Sequence, residues 1–157
     1  MAIRTVFLTG ASSGIGRATA ERLYKEGWSL GLAGQNLEDL NTLTACWDQS
    51  RVHCYQANVA NSDDVKVAID DFAARSGNQL DLLINNAGIL TISHFEALDI
   101  REHQRTIDVN VMGVINGCHA AFPYLKASPR GLVINVSSAS SLYGVPEFAS
   151  YSASKFA

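Results

Sequence analysis

Two hydrophobic periods alternate along the chain: short continuous apolar runs give way to longer stretches with helical spacing. Ile3 to Thr9 is the first run and predicts a buried strand. From Gly14 the spacing predicts a helix with Ile15, Ala18 and Leu23 inward and Gly27 as its stop. Trp28 to Ala33 predicts a second strand. A helix capped by Asn36 follows, with Leu37, Leu40, Leu43 and Trp47 on one stripe. Arg51 to Gln56 reads as a third strand. The next helix starts at Asn61 or Ser62, carries Asp63 and Asp64 in the first turn, where the helix dipole favours anions, and ends with Arg75 before Gly77. Leu80 to Ile84 is apolar except for one Asp, as expected of a strand buried on both faces. From Arg101 to about Lys126, Ile107, Val111, Val114, Cys118, Phe122 and Leu125 keep helical spacing, with Pro123 a kink near the end. Leu132 to Val136 is the fifth strand.

Repeated strand-helix units require right-handed crossovers, so the fold class is α/β, a parallel sheet with helices on both faces. The 157 residues suit one domain, 1–157, with enough chain to bury a core. A formal net charge of -3 offers no basic footprint for nucleic acid or an anionic membrane. No apolar run has the length of a membrane span, and no signal-peptide pattern follows Met1. Cys46, Cys54 and Cys118 lack zinc or disulfide spacing and read as buried thiols in a reducing compartment. These features together point to the cytoplasm.

Candidate chemistry lies at the strand ends. Thr9 to Gly16 joins the first strand to the first helix as Gly-x-x-x-Gly-x-Gly; glycines there allow a tight turn and let a pyrophosphate approach the helix N-terminus. The same segment read alone is also compatible with a plain glycine-rich turn. Asn85-Asn86-Ala87-Gly88 follows the fourth strand and belongs on the same rim, to touch a cofactor or to tie the rim together. Ser137 and Ser138 follow the fifth. Tyr151 and Lys155, four apart, share one helix face, and a cation beside a phenol favours the phenolate.

These segments, in this order, resemble the short-chain dehydrogenase/reductase family over essentially the whole chain. The resemblance implies a Rossmann-type doubly wound sheet of about five strands in the order 3-2-1-4-5. It also implies an oxidoreductase that moves hydride between NAD(P) and a carbonyl or alcohol substrate. Asn110, Ser138, Tyr151 and Lys155 match the catalytic positions. Ser138 would hydrogen-bond the substrate oxygen, Tyr151 would exchange a proton with it, Lys155 would hold the ribose hydroxyls and Asn110 would position a water. The cofactor would meet Gly10, Ser12, Ser13, Gly14, Ile15 and Gly16 in the first loop. Farther along it would meet Gln35, Asn58, Val59, Asn86, Ala87 and Gly88, together with Tyr151 and Lys155. No metal is implied.

Three departures matter. Ala33-Gly34-Gln35-Asn36 ends the second strand without the Asp that would bond a ribose 2′-hydroxyl, so NADP(H) is expected over NAD(H), with Arg17 near enough to assist. Asn58 stands where the family usually has an adenine-contacting Asp and offers both a donor and an acceptor. The family continues past the Tyr/Lys helix, and this sequence reads as C-terminally truncated. Homo-oligomers expected of complete members are therefore doubtful for this chain, and a noncatalytic nucleotide-binding or interaction module is the alternative function. His94 reads as a solvated loop residue, and the other histidines as incidental.

Overall fold

In the computed structural model, which describes residues 3–157, five strands form one parallel sheet in the order β3-β2-β1-β4-β5. They are β1 (Thr5–Thr9), β2 (Ser29–Gly34), β3 (Val52–Gln56), β4 (Leu82–Asn85) and β5 (Leu132–Asn135). β1 is central: Val6 lies in register with Leu30 on one side and Leu82 on the other. This is the Rossmann-type topology expected.

Side chains alternate across a strand, and β1 feeds two cores accordingly. Val6 and Leu8 pack with Leu30 and Leu32 under helices α1 (Gly14–Lys25) and α2 (Leu37–Thr44), which contribute Ala20 and Leu40. Phe7 faces the other way, toward Phe72 of α3 (Ser62–Arg75) and Ala121 of a long helical segment. Burying each such side chain contributes about 1.5–3 kcal/mol. The start signals hold: Asn36 accepts from the Glu38 amide at 2.9 Å, and Asn61 accepts from Asp63 at 2.9 Å and Asp64 at 3.4 Å.

Three expectations are corrected. On α1 the inward residues are Gly16 and Ala20, with Leu23 partly buried; Ile15 is 67% exposed and Ala18 is also exposed. Gly16 and Ala20 take the inward places because α1 approaches the loop before it so closely that only small residues fit beneath. The long helix is not continuous. α4 (Ile100–Ile107) passes through a π turn, Asp108–Met112, into α5 (Gly113–Ala127), which runs on past Pro123. Cys46 is exposed just past the end of α2, while Cys54 and Cys118 are partly buried, so the thiols are not uniformly interior.

At the sheet edge, β5 carries Leu132, Val133 and Ile134 at 56%, 37% and 42% exposure. At the bottom of the sheet Asp81 is buried and accepts from the Thr5 amide at 3.0 Å and the Ser128 hydroxyl at 2.5 Å, with Arg130 at 3.4 Å. Burial pushes its carboxyl up, but these donors outweigh it and hold the pKa below the usual carboxylate value. No helix among the described residues is long and apolar enough to cross a membrane.

Candidate active site

The loop after β1 is built by close approach of main chain to main chain. Gly10 takes φ +65°, and a Cβ there would meet the Ala87 Cα at 2.8 Å. A Cβ on Gly16 would stand 2.1 Å from the Gly10 carbonyl oxygen and 2.6 Å from the Asn86 amide nitrogen. Asn86 donates from Nδ2 to the carbonyls of Thr9 and Gly10 at 3.0 and 3.1 Å, while Thr9 Oγ1 accepts from the amides of Asn86 and Ala87 at 3.1 Å each. The two rim segments are thus one unit. Thr9 is its hinge pin, and a polar residue closing the apolar run of Val6, Phe7 and Leu8 was the signal that could have marked it.

Above this unit lies a cleft of about 510 Å³. Gly10, Ser12, Ser13, Gly14 and Ile15 line one side; Asn86, Ala87 and Gly88 line the other; Gln35 and Val59 close one end. Gly16 lies beneath it rather than on its wall, and Asn58 faces two neighbouring hollows instead. Asn58 is spent locally: its amide donates to Asp64 at 3.1 Å and its side chain accepts from Ala60 at 3.1 Å.

The α1 N-terminus opens on this cleft. Ser13 is extended at φ -147°, its side chain caps nothing, and the first turn carries no acid. By contrast α2, α3 and α4 each have a side-chain cap and acidic residues in the first turn. Helix N-terminal amides without a side-chain partner, at the positive end of a helix dipole and beside a glycine cradle, fit a pyrophosphate.

The catalytic candidates approach from α6 (Ala149–Phe156) and the π turn. Asn110 is buried, with both donors of its amide used: Oδ1 accepts from the Ile89 amide at 2.8 Å, while Nδ2 donates to the Ile89 carbonyl and Ser154 Oγ, both at 2.9 Å. Ile89 and Ser154 are site-building residues that motif reading missed. Their signal was positional: one follows Gly88 and the other precedes Lys155. Lys155 Nζ donates to the Val136 carbonyl at 2.9 Å and stands 5.8 Å from the Tyr151 ring centre. Burial pushes its pKa below the usual lysine value.

Gly88 joins the two halves, since a Cβ there would lie 3.3 Å from Asn110 Oδ1 and 3.6 Å from Lys155 Nζ. Ser138 caps a short 3-10 turn, Ala139–Ser141, that packs on α6; its Oγ accepts from the Ser140 amide at 3.2 Å. Tyr151 packs edge-on against Phe148 at 6.0 Å and does not line the main cleft. Around the open side, His94 is exposed and 3.4 Å from Glu147, as expected of a solvated loop residue. His103 is less incidental than expected, because its ring contacts the Ser150 hydroxyl next to Tyr151.

A family model described as short chain dehydrogenase matches residues 4–157. The chain is 34% identical over 153 residues to a 3-ketodihydrosphingosine reductase of Bacteroides thetaiotaomicron, covering 97% of this chain and 53% of that protein. It is 33% identical to a cyclohexanol dehydrogenase of an Acinetobacter strain, covering 97% of this chain and 61% of that protein. A solved short-chain dehydrogenase from Streptomyces avermitilis superposes with a TM-score of 0.92 at 30% identity, covering 99% of this chain and 57% of that one. The chain thus spans roughly half to two thirds of the length of such relatives.

Proposed function

The chain belongs to the short-chain dehydrogenase family, and from that premise we propose that it serves NAD(P)-dependent oxidoreduction of a carbonyl or alcohol substrate, with Tyr151 as acid and base. Gly88 carries this reading: it lines the cleft that fits a dinucleotide and abuts both Asn110 and Lys155. A nicotinamide dinucleotide in that cleft supplies hydride to a carbonyl carbon or accepts it from an alcohol carbon.

The protein's own groups then handle the oxygen and its proton. Ser138 Oγ already accepts from the Ser140 amide, so its hydrogen is free to donate to a substrate oxygen. The Tyr151 phenol gives that oxygen a proton during reduction and removes one during oxidation. Lys155 spends one N–H on Val136 and keeps two for ribose hydroxyls. Both N–H groups of Asn110 are committed, so it acts as a brace between the Gly88 loop and α6, while its Oδ1 keeps one lone pair for a water. The apolar Leu142, Tyr143 and Val145 beside the site suit a hydrophobic ketone or alcohol.

The test is the Tyr151→Phe variant, assayed by NAD(P)H oxidation with a panel of apolar ketones. Turnover should fall about 10²–10⁴-fold, the usual worth of a positioned acid, with a far smaller change in dinucleotide affinity. Undiminished ketone reduction would remove Tyr151 from the mechanism.

A further inference from the structure

The missing Asp at the end of β2 suggests a cleft open to a 2′-phosphate, but the fold brings a carboxylate back from a different place. Asp39, in the first turn of α2, lines the cleft beside Gly34, Gln35 and Asn36. It is the only charged side chain among the described residues that line it. The end of β2 is where a dinucleotide's adenosine ribose meets this fold, so Asp39 stands at the 2′ position's end of the cleft.

Among the described residues no basic side chain lines the cleft to offset that charge. Arg17, the cation expected to assist a phosphate, pairs with Glu21 at 3.0 Å along α1 and lines no part of the cleft. The positive end of α2 is answered by its own Glu38 and Asp39, and the Glu38 amide is taken by Asn36. The adjoining hollow, which shares Gln35, adds Asp63 and Asp64. A second adjoining hollow, which also shares Gln35, holds Arg101 and Arg105, each beside a carboxylate, Asp99 at 3.1 Å and Glu102 at 3.5 Å, so neither cation is left unpaired toward the cleft.

Resting on the dinucleotide reading above, we infer that Asp39 sets the cofactor preference and sets it toward NAD(H). Its carboxylate accepts from a ribose 2′-hydroxyl and repels a 2′-phosphate, replacing from the helix what β2 lacks. The expectation of NADP(H) assumed that no acid faces this end.

The experiment is a fluorescence titration of the 157-residue chain with NADH and with NADPH at low salt. NADH should bind on the order of tenfold more tightly, the scale of one unscreened carboxylate against a phosphate. Asp39→Asn and Asp39→Ser should each bring the ratio of the two dissociation constants to within about threefold of unity. In the natural chain the ratio should also shrink at high salt, because exposed charges are screened. Equal or tighter NADPH binding by the natural chain, or an unchanged ratio in both variants, overturns the role of Asp39 alone. Failure of the folded chain to bind either nucleotide overturns the dinucleotide reading and this inference with it.

Discussion

β1 and β5 run parallel in one sheet and both deliver their loops to the same rim, yet they are held by different physics. Val6, Phe7 and Leu8 of β1 are at most 1% exposed, covered by a core on each face. In β5 all four residues are exposed. The loop after β1 is consequently fixed by packing and by main-chain contact at Gly10 and Gly16. Near β5 the functional side chains are each held by one hydrogen bond, Lys155 Nζ to the Val136 carbonyl and Ser138 Oγ to the Ser140 amide. Changes near β1 should therefore cost the fold, and changes near β5 should cost geometry at the reacting groups before they cost the fold.

Phe7→Ala tests the packed side and should have the largest effect. The ring contacts Tyr55 and Phe72 at centroid distances of 5.8 and 5.9 Å, and truncation leaves a cavity between sheet and α3. A loss of about 3–5 kcal/mol in urea unfolding is expected. Asn110→Leu tests the tether that joins the two regions. It leaves the Ile89 amide and carbonyl without their Asn110 partner and removes one of the two hydrogen bonds of the Ser154 hydroxyl. The expected cost is roughly 2–3 kcal/mol, with faster amide exchange confined to the Gly88 loop and α6. Exchange that rises equally in β1 would show that the two regions unfold as one.

What was legible beforehand follows the same division. Asn36, Asn61, Gly27 and Gly77 mark helix ends through local backbone chemistry, so α1 and α3 and the start of α2 could be bounded from sequence within a residue or two, whereas the α2 stripe was read on to Trp47, three residues past its end at Thr44. The rim motifs were legible because each follows an apolar run whose end places it. The misplacement of Ile15 was a tertiary effect: periodicity sees a hydrophobic side chain but not the cleft mouth it lines. The π turn at Asn110 left no mark, since its five residues keep helical spacing. Asp39 was missed because attention to the end of β2 stops at Asn36, whereas the chain curls back one helical turn later.

Asp81 is a polar clasp on both strands, since its carboxylate holds the Thr5 amide of β1 and its carbonyl accepts from Leu132 of β5 at 3.0 Å. Its folded pKa lies below the unfolded value of about 3.9, so its contribution is fully present above that pH and is lost as pH falls through the folded pKa. Stability should fall on acidification below about pH 4, and the drop should be smaller in Asp81→Asn. An identical acid profile in the variant would assign the loss to other carboxylates.

Ile134→Ala is the counterpart of Phe7→Ala and should have the smallest effect. The side chain is 42% exposed, so truncation removes only part of the transfer free energy of a buried isoleucine and opens no enclosed cavity. A loss below about 1 kcal/mol is expected in dilute protein. A loss approaching that of Phe7→Ala would mean that β5 is covered in solution. If a second copy of the chain covers it, the unfolding midpoint of the unmodified chain should rise with protein concentration, because association stabilises the folded state by mass action. If the midpoint is independent of concentration and Ile134→Ala is mild, β5 is an open edge, and the contrast with β1 is a property of the single chain.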